Sequence, residues 1–189
     1  MSAKQDQKAR TRAAILTSAA ELLRSKGISG AKVADVMAGA GLTVGGFYAH
    51  FASKQALVDE TIRRTAEGIR GRLFQDLDQK PADARAVVVL KRYLSATHRD
   101  APETGCPLPA IAGEVSSHSP EHRDVLVEQL ELFASELSNR LPAGKQRRAT
   151  ALALIALMYG GLSLARATAG TPLSDELLKA CRGFARLEG

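Results

Sequence analysis

Cysteine is scarce in this chain. Its two thiols, Cys106 and Cys181, cannot build a disulfide framework, and no cysteine pair has the spacing of a zinc site. Long apolar runs are missing too. The most apolar uncharged stretch, Ala149 to Ala165, is slightly short for a membrane span and is interrupted by Thr150, Gly160, Gly161 and Ser163. Residues 1–12 are polar and basic with no apolar segment behind them, so no secretory leader is expected. The expectation is a cytoplasmic protein with no membrane contact. No segment sustains the alternation of a strand, no internal repeat is visible, and no Pro/Gly/Ser-rich linker divides the chain. The Gly-x-Ser-x-Gly turn, the P-loop and the dinucleotide fingerprint are all absent, so neither a catalytic residue nor a cofactor is expected. His118 and His122 are four apart, but Pro120 between them opens a new helix. His98 stands alone, and no metal site is expected.

What is present is charge and helical periodicity. The 189 residues are 45% hydrophobic and 24% charged, a globular rather than a disordered balance. The charge is uneven. Residues 1–70 hold 11 Lys/Arg against 6 Asp/Glu, a net of +5, while the remainder holds 15 against 14, a net of +1. A basic excess on one segment is what phosphate binding requires, although it is weak evidence alone.

The stretch Val33 to Phe51 is the most informative. Val33, Val36, Met37 and Ala40 recur at i, i+3, i+4 and i+7, one apolar helical face. Gly41 follows, where a glycine can take the left-handed conformation that ends a helix and reverses the chain. Thr43 is placed to cap a second helix. Gly45 and Gly46 then fall inside that helix, at a cost of up to about 1 kcal/mol each relative to alanine. Close approach to another surface is a reason to accept such a cost. Phe47 and Phe51 are four apart and point inward, leaving Tyr48 and His50 to point elsewhere. The layout fits a helix-turn-helix whose second helix enters the DNA major groove. Beyond it, Ser53 is placed to cap a long helix, and Lys54 lies in the first turn, where its charge opposes the helix dipole unless an anion is held there.

The rest reads as helix throughout. Thr11 to Lys26 is the first, with Ile15, Ala19, Leu22 and Leu23 inward and Gly27 as its stop. Ser53 to about Gln79 is one unbroken helix with a stripe of Val58, Ile62, Ala66, Ile69, Leu73 and Leu77. Helices are expected over about Ala82 to Arg99, around Leu108 to Val115, and from Pro120 to Leu141. The last two run from Lys145 to about Ala169 and from about Ser174 onward. The penultimate one is apolar on nearly every side, so it is either central to the core or half of a subunit interface.

At this level the residues resemble a known family. The first-helix pattern AAILTSAAELLRSKG, the turn GLT and the string GGFYAHFASK look like the N-terminal domain of TetR-family transcriptional regulators. The resemblance covers roughly the first 65 residues. It implies an all-α protein of about nine helices. Residues 1–52 would form the DNA-binding head, with a basic arm at 1–10, and residues 53–189 an effector-binding and dimerisation domain. It implies a homodimer, joined through helices at about 145–169 and 174–187, that binds a palindromic operator, usually represses, and is released by a small molecule. By position, Tyr48, His50 and Lys54 match residues that contact the DNA backbone. Thr43, Val44, Gly45 and Gly46 match the start of the recognition helix. Two departures stand out. Lys32, rather than a hydroxyl residue, sits at the start of the second helix, replacing a hydroxyl-to-phosphate contact with a charged one. Val44-Gly45-Gly46 offers almost no side-chain hydrogen bonds, which shifts specificity toward DNA shape or a thymine methyl.

For the effector, the candidate residues are Tyr93, His98, Cys106, Leu108, Ile111, Phe133 and Met158. Cys106 lies at a loop-to-helix junction, where a helix N-terminus can lower a thiol pKa, so a thiol-sensing regulator is an alternative. An enzyme and a non-specific DNA-packaging protein are the readings from other classes.

Overall fold

The computed structural model describes residues 3–184. Among them the chain forms nine α-helices and no strand: α1 (Ala3–Gly30), α2 (Val33–Gly39), α3 (Lys54–Phe74), α4 (Ala82–Tyr93), α5 (Ala96–Asp100), α6 (Leu108–Ser117), α7 (Arg123–Ser138), α8 (Arg147–Ala167) and α9 (Pro172–Phe184). Four short 3-10 segments join them; the first, Val44–Ala49, follows α2. The all-α expectation holds.

Several boundaries differ from the sequence reading, each for a local reason. The expected arm at 1–10 is helical from Ala3 onward and is continuous with α1; Met1 and Ser2 lie outside the described residues. Gly27 interrupts α1 with φ +69° and ψ −171°, a conformation open to glycine but strained for other residues. The helix expected to reach Gln79 stops at Phe74, because Asp76 takes a left-handed conformation (φ +53°). The helix expected over Ala82 to Arg99 breaks at Leu94. There Ser95 restarts it by accepting the His98 N–H at 3.2 Å.

The chain divides into two compact units; two of the three boundaries fall inside α3 and α7, and the third lies between Gly105 and Cys106. The first holds residues up to Ala66 together with Cys106–Leu126. It is therefore larger than the head alone, since α6 belongs to it. Its core is built from Ile15, Leu16 and Ala19 of α1, Val36 and Met37 of α2, Phe47, Phe51 and Leu57. The helical periodicity assigns six of these inward; Leu16 and Leu57 were not among its inward positions.

The second unit holds Glu67–Gly105 and the residues from Val127 onward. Phe74 meets Phe133 edge-on at 5.7 Å, with the Arg140 guanidinium over the Phe74 ring at 4.6 Å. Leu90, Leu94, Leu137, Ala151, Met158 and Leu162 fill the interior. Gly161 lets α9 approach α8: a Cβ there would lie 2.8 Å from the Cys181 sulfur. One side of α8 is buried. The other presents Ala149, Leu152, Ala153, Ala156, Gly160 and Leu164 to solvent. By length and composition α8 is apolar enough to cross a membrane, and 39% of its most apolar window is buried within the chain.

Candidate nucleic-acid interface

The corner between α2 and the 3-10 segment is built from backbone bonds. Gly41 (φ +71°) donates to Ala38 O at 2.9 Å, and Leu42 N–H donates to Met37 O at 2.9 Å. These satisfy carbonyls that the end of α2 leaves open. Thr43 is extended, and its hydroxyl makes no capping bond, contrary to the role expected for it. The segment that follows is a 3-10 turn and not a full α-helix. Two consecutive glycines weaken α-helical order, and Phe47 and Phe51 hold the turn from beneath. Those two rings stack at 5.9 Å and are almost fully buried.

With the phenyl rings locked inward, the opposite side is presented outward. Tyr48 is 75% exposed and Val44 49% exposed. Thr43, Gly45, Gly46 and Lys32 are exposed as well. A Cβ built on Gly45 would meet nothing within 4 Å, and one on Gly46 only the Met37 Cε at 3.8 Å. Neither glycine has a positive φ. Nothing inside the chain demands a glycine at either position.

Two basic residues have partners the sequence did not suggest. The Arg12 guanidinium donates to the His50 carbonyl, pairs with Glu60, and lies 4.2 Å above the Phe51 ring. Arg12 therefore braces the head rather than extending from it. Lys54, expected to face an anion, donates from Nζ to the Ile28 carbonyl at 2.9 Å. That carbonyl lies at the end of α1, where a cation is favoured. Ser53 does cap α3, accepting the Ala56 N–H at 3.0 Å. His50 is half-buried, and its Nδ1 has no hydrogen-bond partner.

Glu114 of α6 was missed altogether. Its carboxylate accepts the N–H groups of Ile28 and Ser29, each at 2.9 Å, and the Ser29 hydroxyl at 2.6 Å. Burial alone would raise its pKa, but the Ser29 and Ile28 hydrogen bonds, with His118 nearby, outweigh that and lower it. Gly27 makes the room: a Cβ there would lie 1.7 Å from Glu114 Oε1. Only the glycine was visible in the sequence, and nothing pairs it with a carboxylate 87 positions away. The same unit contains His122, buried, with Nδ1 at 2.6 Å from Asp59 Oδ1.

The candidate effector residues are divided between the two units. Tyr93 and His98 line one cavity of about 470 Å³ in the second unit. Phe133 and Met158 are buried core residues of that unit. Cys106, Leu108 and Ile111 belong to the first unit and are buried there. The Cys106 thiol is 1% exposed, so no electrophile reaches it without a local opening.

Known proteins resemble this chain in its N-terminal segment and in its fold. The profile of the family described as "Bacterial regulatory proteins, tetR family" matches residues 15–61. A curated relative, the uncharacterized HTH-type transcriptional regulator YvdT of Bacillus subtilis, is 37% identical over 68 residues, which cover 34% of this chain and 35% of that protein. The match thus spans about a third of the relative. Among solved structures, a TetR transcriptional regulator from Chloroflexus aurantiacus superposes with a TM-score of 0.79 at 23% identity, over 96% of both chains. A TetR-family regulator from Cytophaga hutchinsonii gives 0.76 at 22% identity, over 95% of each. Reduced NemR from Escherichia coli gives 0.76 at 21% identity, over 91% of this chain and 95% of that one.

Proposed function

We propose that this chain, a TetR-family transcriptional regulator by its N-terminal domain and by its fold, is a ligand-released repressor that binds a palindromic operator as a homodimer. One observation carries the reading. Val44, Gly45, Gly46 and Tyr48 form an exposed, side-chain-poor surface above a locked aromatic floor, and no internal contact explains the two glycines. A surface stripped of side chains lets backbone approach a groove wall closely. Lys32, Tyr48, His50 and, by exchanging its present partner, Lys54 supply the phosphate contacts that set register. Thr43 and Val44 meet bases. So few donors mean that sequence is read mainly through DNA shape and deformability.

The partner for dimerisation is a second copy of the chain. The outward side of α8 and the exposed Leu173 and Phe184 of α9 are apolar, which is costly to leave in water. Small residues along α8 permit the close helix approach of a self-complementary contact. The last helix was expected to run to about residue 187, and residues 185–187 lie outside the described residues. Two heads joined in this way would address half-sites one helical turn apart, about 34–36 Å.

Selection of binding sequences from random duplexes tests the reading. The expected product is an inverted repeat bound by two chains. A pool that shows no enrichment, or enriches a site without two-fold symmetry, contradicts it.

A further inference from the structure

The cavity beside Tyr93 and His98 has a charge pattern that identifies its ligand class. Its floor is apolar, formed by Ile69 and Leu73 of α3 and Tyr93 of α4. Its charged lining is Arg72 and Arg92, and no carboxylate lines it. Arg72 donates from Nη2 to the Thr104 carbonyl at 3.3 Å. Arg92 donates from Nη1 to the carbonyls of Leu73 and Gln75, at 2.6 and 2.7 Å. Carbonyl oxygens accept these bonds without cancelling the charges. Two guanidiniums in one concave site with low-dielectric walls focus a positive field into it. His98 lines the same cavity and is anchored through Nδ1 on the Tyr93 carbonyl at 2.6 Å. Burial lowers its pKa, the Tyr93 hydrogen bond opposes that, and the charges of Arg166 and Arg72 add to the lowering.

We infer that this cavity binds a small organic monoanion, with a carboxylate between Arg72 and Arg92 and an apolar body on Ile69, Leu73 and Tyr93. The inference rests on the ligand-released reading above and supplies the chemistry of that effector. A planar carboxylate matches the fork of a guanidinium, and each such bond is charge-assisted. The volume is within the usual range for small-molecule sites. A cationic or strictly neutral ligand would leave both arginines uncompensated.

The test uses the full chain. Benzoate and octanoate are titrated calorimetrically and by thermal shift against benzamide, octanamide and inorganic phosphate, with the wild type and with Arg72→Gln. Arg72 is exposed, so its replacement should leave folding intact. At least one carboxylate should raise the melting temperature and bind about tenfold or more tightly than its amide, and Arg72→Gln should lose about tenfold. Four results would overturn the inference: carboxylates and amides bind alike, phosphate alone stabilises equally, no carboxylate binds, or Arg72→Gln binds as well as the wild type. A carboxylate that binds as expected but leaves operator affinity unchanged supports the site and contradicts the ligand-release reading instead.

Discussion

Gly45 and Gly46 decide more than any other residues. A glycine kept where alanine would fit carries a cost to local order, and open space around both Cβ positions removes packing as the reason. Gly45→Ala should therefore leave the stability of the free protein unchanged or raise it by up to about 1 kcal/mol. It should also weaken DNA binding by roughly tenfold or more. Thermal melts with and without a bound duplex measure both quantities. A variant that is less stable and binds DNA normally would show that the glycines serve the fold. The exposed and buried sets of this turn were legible in the sequence. Phe47 and Phe51, four apart, had to share a face, and that turned Tyr48 outward. The partners of Arg12 and Lys54 were not legible, because long side chains choose partners in space and not by spacing.

At the scale of elements, helix ends explain most of what was and was not foreseen. Gly27, Gly41 and Ser53 mark ends in the sequence, and the structure uses each of them. The break at Leu94 and the left-handed Asp76 carry no such signal, and the sequence reading ran the helices through both. The link from α6 to the end of α1 was equally silent. It depends on Glu114 meeting three donors at Ile28 and Ser29. Removing its charge by Glu114→Gln, which leaves those donors poorly matched, should destabilise the first unit by about 1–3 kcal/mol at neutral pH. The pH dependence has a fixed sign. A carboxyl whose folded-state pKa is depressed contributes fully above its ordinary value of 4.5, and that contribution fades as pH falls through the lowered folded value. Denaturant titrations should show wild type and variant converging in acid. A gap that stays constant from neutral pH into strong acid would contradict the role given to Glu114.

For the whole molecule, the apolar outer side of α8 is the feature one chain does not satisfy alone. Ala156 is exposed in the single chain, so Ala156→Glu costs the monomer little. In a two-fold contact it would bury an unpaired charge. Sedimentation should find the variant monomeric and the wild type dimeric, with operator affinity falling alongside; a dimeric variant would place the interface elsewhere. Helical character and the basic head were readable from composition and periodicity. The assignment of α6 to the head's unit was not, since it depends on contacts between distant segments.

The central claim is that this chain reads duplex DNA through the exposed glycine-bearing turn. Fluorescence anisotropy on the selected duplex and on a scrambled one, over a salt series, tests it most directly. Affinity should fall steeply with salt, and the selected duplex should bind about 10³-fold or more tightly than the scrambled one. Lys32→Ala should flatten the log–log salt slope by about one unit. Equal affinity for the two duplexes, or no binding to either in dilute buffer, would contradict the account.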